Sequence, residues 1–426
     1  MRARTRPFVR AASAFCALVV SALLPCRAAA DEFVPALRSQ TGVTLTRSPG
    51  NDSNDFFVMS TPELGYFFGN ERTQVGITYS FTGSLNTELP NTIANRLALS
   101  LAHDVNERTR LLFGLEALQT SVGNYLLVKR TVQQSTLGGV GINSQLLTTT
   151  ATQAISHEMA PNVRLLEAVS GTYVRSLDPI VRLDNVLATA AVGVERSWAF
   201  DAVGGELALQ YGRVMFPPLE STAITVSLGP TWDHDFSRSW SSSLGAGVAL
   251  AVSPDPGTKP LVAPTGRASV LYFTEGSGVE LAYAGGFEPN VLLGTIVESN
   301  QVTLRAFTPI SDEYRVLFTT SSGYLRAKVL DLRTKGRFDN EFDAVLHDAE
   351  LSWSAADWLT LYLRYLFVGQ TAGSGLGAGA TPPLVRHGAL FGIDIFGGGR
   401  PTRPRVQTKF PQRVDQQDKP LPDKRR

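Results

Sequence analysis

Hydrophobic and polar residues alternate along most of this chain with a period of two. In TQVGITYSF (73–81), Val75, Ile77, Tyr79 and Phe81 share one face, while Gln74, Gly76, Thr78 and Ser80 share the other. WLTLYLRYLF (358–367) sets Leu359, Leu361, Leu363, Tyr365 and Phe367 against Thr360, Tyr362, Arg364 and Leu366. ERTRLLFGLEAL (107–118) and GGELALQYG (204–212) repeat the pattern, with Leu111, Phe113, Leu115 and Ala117 in the first and Leu207, Leu209 and Tyr211 in the second. Successive side chains of a strand point to opposite faces, so each segment predicts a strand with one apolar and one mixed face.

The connections fall into two classes that alternate. Short polar turns are expected near 69–72, 104–107, 159–162, 197–203, 234–238, 274–278, 309–313 and 354–357. Longer polar or Gly/Pro-rich stretches come between them, the clearest at 48–55, 85–92, 120–146, 214–221, 253–264, 287–299, 328–343 and 370–384. Eight tight turns and nine long connections make eighteen strands. Sixteen is the alternative count, because the first strand (about 38–47) and the region 120–150 are weakly patterned. An even number of long strands joined by tight turns at one end and longer loops at the other predicts an all-β, up-and-down antiparallel transmembrane barrel. No apolar run beyond the N-terminus reaches the ~18 residues of a helical span. A soluble sandwich or propeller is the competing class, but no blade signature recurs.

The N-terminus adds a compartment. Arg2, Arg4, Arg6 and Arg10 precede the apolar AASAFCALVVSALL (11–24), and small residues at 28–30 precede Asp31, which predicts a cleaved signal peptide over 1–30. A lipoprotein with Cys26 as the modified residue is the lesser alternative, since Pro25 stands where a small residue is needed. Both cysteines, Cys16 and Cys26, lie in this leader. The remaining chain can therefore hold neither a disulfide nor a thiolate site.

Charge divides the chain further. The whole sequence carries +1, the leader five arginines and the segment 397–426 a surplus of six positive charges, which leaves 28–396 at −10. The last thirty residues include five prolines and one aromatic, too little apolar surface to fold alone. They are expected to form a disordered basic periplasmic tail, with Arg400, Arg403, Arg405, Lys409 and Arg413 as candidates for binding a periplasmic export protein or peptidoglycan. The three segments are thus 1–30 leader, 31–396 barrel and 397–426 tail.

Little in the sequence suggests catalysis. The five histidines, His103, His157, His234, His347 and His387, have no metal-ligand spacing. TWDHDF (231–236) gathers Asp233, His234 and Asp235, but at what reads as a solvated turn. In HDAE (347–350), period two sends His347 and Asp348 to opposite faces. No G-x-S-x-G elbow marks a nucleophile, and the glycine runs at 138–141, 373–379 and 397–399 lack the helix or Lys-Ser/Thr of a phosphate cradle. Neither an enzyme nor a cofactor or metal site is expected, and nucleic acid is not an expected partner.

The mixed faces do supply candidates for a lumen. Arg96, Arg110, Glu116, Glu206, Gln210, Glu280, Arg305, Asp348, Glu350 and Arg364 fall opposite the apolar faces. Arg or Lys facing lipid at the bilayer midplane costs about 2–4 kcal/mol, so these residues should point inward. There they either pair as structural ion pairs or line a water-filled path. A barrel of sixteen to eighteen strands leaves a channel unless something fills it. The candidate constrictions are 120–146 and 328–343, the latter carrying Arg333, Lys335, Arg337, Asp339, Glu341 and Asp343.

The leader, the alternating hairpins and the strand GALFGIDIF (388–396) together resemble bacterial outer-membrane β-barrels of the porin kind, across 31–396. The pattern departs from that class in placing Phe396 inside the chain and out of phase with Phe391, Ile393 and Ile395. The chain also looks like the exopolysaccharide-export barrels, which implies a polar channel for a secreted glycan that is neutral or zwitterionic, given the mixed charges. A general porin for small solutes and a plugged barrel anchoring an envelope complex are the alternatives. The resemblance further implies residence in the outer membrane with both termini periplasmic, contact with its lipid and lipopolysaccharide, and dependence on the barrel-assembly machinery.

Overall fold

The computed structural model describes residues 32–47, 52–88, 91–121, 145–177, 184–215, 221–274, 276–290, 295–310, 315–329, 341–371 and 383–397. The expected leader, and the expected tail beyond Gly397 with its five basic candidates, lie outside the described residues.

Eighteen strands follow one another: β1 (Glu32–Arg47), β2 (Ser53–Gly69), β3 (Thr73–Asn86), β4 (Thr92–Asn106), β5 (Thr109–Ser121), β6 (Gln145–Ala160), β7 (Val163–Ser176), β8 (Asp184–Ser197), β9 (Asp201–Val214), β10 (Ser221–Asp235), β11 (Trp240–Val252), β12 (Leu261–Thr274), β13 (Ser277–Asn290), β14 (Thr295–Pro309), β15 (Val316–Val329), β16 (Glu341–Ala356), β17 (Leu359–Gln370) and β18 (Leu384–Phe396). Each pairs antiparallel with its neighbour, and β1 pairs with both β2 and β18, so the sheet closes on itself. The closing register runs from Ala36↔Phe396 to Arg47↔Val385. Apart from residues 261–265 of β12, which pair on one side only, closure leaves no sheet edge among the described strands, the condition for a strand structure to sit in hydrocarbon.

The expectation of eighteen strands and of GALFGIDIF as the closing strand therefore holds, and short and long connections alternate except at β13–β14, whose link is shorter than the one between β14 and β15. Three details differ. The first strand begins at Glu32 rather than near 38, because Val34, Pro35 and Ala36 continue the ladder opposite Gly65, Leu64 and Glu63. TWDHDF is the end of β10 rather than a turn, with Asp233 opposite Ala202 and His234 opposite Asp201. Residues 287–290 and 295–299, expected in a loop, are strand, since β13 runs to Asn290 and β14 starts at Thr295.

The outer surface is an apolar belt built from the predicted faces. Leu37, Val43, Leu64, Val192, Leu207, Val248, Leu281, Leu304, Leu351 and Leu363 are all exposed there. All five tryptophans, Trp198, Trp232, Trp240, Trp353 and Trp358, lie in or within four residues of a short turn and are 38–52% exposed. A second ring sits toward the long connections, where outward tyrosines give their hydroxyls to polar partners across the ladder. Tyr79 bonds Asn95 Oδ1 (3.0 Å), Tyr283 bonds Asn300 Oδ1 (2.8 Å) and Tyr365 meets His387 Nδ1 (2.8 Å). Six to ten tilted residues separate the rings, roughly 15–25 Å, up to the height of a barrel's lipid-facing band with aromatics at its two borders. The fold is that of an outer-membrane β-barrel.

Candidate functional site: the lumen

The inner face changes character along the barrel axis. Toward the short turns much of it is lined by small and hydroxylated residues, such as Thr78, Ser100, Thr152, Ser227, Ser243, Ser269, Thr303 and Ser321, interrupted by ion pairs. Each of these hydroxyls is only partly buried, whereas on β1, β17 and β18 Gln40, Thr360, Tyr362 and Asp394 are buried. Toward the long connections the same face is dry. Phe57, Met59, Val297, Leu325, Ala327, Phe342, Ala344, Leu346, Leu366, Val368, Leu384 and Leu390 form one cluster, each at most 6% exposed. Leu118, Leu146, Val174 and Leu187, on the opposite wall, are also buried.

All ten charged or amide residues expected to point inward lie on the inner face, alternating with the exposed apolar belt. Most of them pair with a neighbour. Arg96 Nη2 lies 3.1 Å from Glu116 Oε2, across the β4–β5 ladder. Arg305 Nη1 lies 3.4 Å from Glu280 Oε2, in direct register on β14 and β13. Arg364 grips Asp348 with two bonds, Nε–Oδ1 at 2.8 Å and Nη2–Oδ2 at 2.6 Å, and its side chain is only 5% exposed. Two parallel charge-assisted bonds are the strong form of this contact. Glu350 stands opposite Arg364 in the β16–β17 ladder. Arg110 is 3.8 Å from Asp104 on β4, a looser contact.

Glu206 and Arg267 form a different kind of pair. They sit on β9 and β12, with β10 and β11 between them, yet Nη2 and Oε2 approach to 3.0 Å. The intervening inner positions include Gly229 and Gly245, and a Cβ at Gly245 would meet the Arg267 Cγ at 2.9 Å. The arginine lies along a floor that has no side chains to lift it. Neither Arg267 nor the Arg38–Asp394 pair (2.9 Å) was among the residues expected from sequence, although the parity of β12, β1 and β18 would have found them.

Gln210, also expected at the lumen, holds the most distinctive feature of the interior. Beyond Gly285, β13 leaves β12: the β12–β13 ladder ends at Gly266↔Gly285, while β13 and β14 stay paired to Asn290↔Thr295. Gly286 has φ +148°, a conformation that favours glycine. The end of the hairpin thus turns into the barrel and packs on the walls of β9–β12. Phe287 and Ile296 cluster with Ala223, Ala249, Ala251 and Ala263, and a Cβ at Gly212 would meet Ile296 Cγ1 at 3.2 Å. Gln210 Nε2 donates to the Phe287 carbonyl at 2.8 Å, and the Thr225 hydroxyl donates to Gln210 Oε1 at 3.2 Å. The carbonyl of the departing strand is thus satisfied by a side chain of β9, four strands away.

The loops expected to constrict the pore, 120–146 and 328–343, fall mostly outside the described residues. Glu341 and Asp343, counted with the second, open β16 and face outward, where they contact Arg326 and the Tyr324 hydroxyl; the parity of β16 turns them away from the lumen. The histidines also face outward. His103, His157 and His347 meet Thr73, Thr109 and Ser322 hydroxyls at 2.8 Å, and His234 Nδ1 meets Asp201 Oδ1 at 2.8 Å. His347 and Asp348 do take opposite faces.

No family model matches the chain, and no curated protein matches it. Among solved structures it is similar to OccK2 (OpdF) of Pseudomonas aeruginosa in complex with glucuronate, at 12% identity and a TM-score of 0.47 over 86% of this chain and 98% of that one. It is also similar to OccAB3 of Acinetobacter baumannii, at 11% identity and 0.46 over 86% and 99%. OpdL of P. aeruginosa matches at 10% identity and 0.45 over 87% and 99%.

Proposed function

We infer that the chain is an outer-membrane channel for small neutral or zwitterionic polar solutes, with its short-turn end in the periplasm. The observation that supports this most is the inner wall of the short-turn half. It offers hydroxyls and partly exposed ion pairs, with arginine and carboxylate side by side at Arg96–Glu116, Arg267–Glu206 and Arg305–Glu280. Such a wall presents donors and acceptors to a passing solute without a field of one sign that would select for ions. The filled long-connection half and the inturned hairpin favour small solutes over an exported polymer, which needs a continuous wide bore.

Reconstitution tests the reading. Proteoliposomes should swell in sugars and neutral amino acids. In planar bilayers the cation-to-anion permeability ratio should stay within about threefold of unity, since adjacent opposite charges cancel beyond a Debye length of about 10 Å. A barrel that neither conducts nor admits any solute overturns the channel reading and leaves the anchoring role. A strong preference for one ion sign overturns the choice of solute class.

A further inference from the structure

We propose that the end of the β13–β14 hairpin is a reversible plug with two seats: one inside the lumen, as seen here, and one in the barrel wall against β12. This rests on the channel reading above.

The second seat is written into the ladder. Residues 261–265 of β12 pair with β11 on one side and with no described strand on the other, because β13 has turned away. Continuing the register from Gly266↔Gly285 would set Thr265 opposite Gly286, Pro264 opposite Phe287 and Ala263 opposite Glu288. Parity then explains an oddity of composition. Phe287 and Ile296 fall on the same side of the hairpin as Tyr283, Val302 and Leu304, the side that faces outward lower down. In the wall seat both would join the lipid-facing belt. In the lumen seat the same two side chains fill the alanine socket of β10–β12 and lie against Gly212. The same two apolar side chains serve both positions, with Glu298 in register beside Phe287 as the polar member of that face, so neither seat strands Phe287 or Ile296 in water.

The two seats are also balanced in hydrogen bonding. In the lumen, Gln210 takes over the Phe287 carbonyl. In the wall, β12 would take it, but Pro264 and Pro289 lack an N–H and weaken that ladder. Gly285 and Gly286 supply the hinge. Gly286 already has positive φ, and a Cβ at Gly285 would meet the Tyr283 hydroxyl and the Asn300 side chain.

Two double-cysteine variants separate the seats, and the only native cysteines, Cys16 and Cys26, lie in the leader. Gly212→Cys with Ile296→Cys should form a disulfide in the lumen seat, and Ala263→Cys with Glu288→Cys only in the wall seat. Glu288 and Phe287 point to opposite sides of the hairpin, so Phe287 packing near Ala263 does not bring Glu288 to it. In planar bilayers the oxidised Gly212/Ile296 variant should show one small conductance level, and reduction should restore excursions at least threefold larger. The oxidised Ala263/Glu288 variant should hold the larger level. Equal conductance of the Gly212/Ile296 variant before and after reduction, with the disulfide verified by mass, overturns gating. Failure of the Ala263/Glu288 pair to cross-link where the first pair does overturns the second seat. A barrel silent in every redox state strikes the channel reading instead, and the cross-linking yields still decide whether both seats are visited.

Discussion

The two halves of the interior are built from the same strands but obey different rules. Leu366 and Arg364 are two residues apart on β17 and point the same way. One joins a dry cluster with Leu346, Val368 and Leu390, while the other clamps Asp348 at the edge of the solvated half. Further toward the short turns the wall carries partly exposed pairs such as Arg305–Glu280, whose side chains are 48% and 31% exposed. The closed sheet supplies only an alternation of in and out. What the inside is made of decides whether a level of the barrel is a core or a water-filled wall.

That contrast sets the size of each mutational effect. The largest is expected from Leu366→Asp, which buries an unpaired carboxylate among apolar side chains. It should cost roughly 4 kcal/mol or more, or shift the residue to its protonated form. Denaturant unfolding in micelles and loss of heat-modifiable migration would register it. Ser243→Asp on the solvated wall should change stability by no more than about 0.5 kcal/mol. A comparable loss from both would erase the distinction between the halves.

Next comes Arg364→Met, which leaves Asp348 without its bidentate partner in a poorly hydrated place. About 3 kcal/mol of destabilisation is expected, and the double change Arg364→Met with Asp348→Leu should recover much of it. On the opposite face of the same strand, Leu363→Arg puts a cation on the lipid belt and should cost about 2–4 kcal/mol in lipid. Unfolding from bilayers checks this, and a neutral outcome would contradict the position of the belt. Smallest of all, Arg305→Met should cost under about 1 kcal/mol, because its pair is already in water. A loss above 2 kcal/mol there would show that the short-turn half is drier than drawn.

The sequence was most legible where the two faces differ. In β3, β5, β9 and the lower part of β17, hydroxyls and charges alternate with aliphatics, so strand, face and inward residues could all be read. In the long-connection half the inward positions are Phe57, Phe342, Leu346 and Leu366, and the alternation blurs because both faces are apolar. The inturned hairpin left a fainter trace. Glu288, Pro289, Asn290 and the polar run after Ile296 and Val297 read as a loop, since nothing local says that the strand pair continues off the wall. Only Gly285-Gly286 marks the departure, and its destination is set by alanines on β10–β12 and a glycine on β9. Gln210 was read correctly as inward, but its partner, a backbone carbonyl, has no signature in composition. Pairs such as Arg38–Asp394 depend on register across the closure, which periodicity does not supply.

Single cysteines along the inner face test the central claim most directly. Full-length barrel reconstituted in liposomes would carry Ser227→Cys, Ser243→Cys or Ser321→Cys in the short-turn half, and Leu325→Cys, Ala327→Cys or Ala344→Cys in the other. The rate of modification by a charged, membrane-impermeant thiol reagent would then be measured. The structure predicts fast labelling of the first three and labelling at least a hundredfold slower for the second three, each at most 1% exposed. Equal rates in both halves, or the reverse order, would contradict a barrel whose interior is solvated at one end and packed at the other.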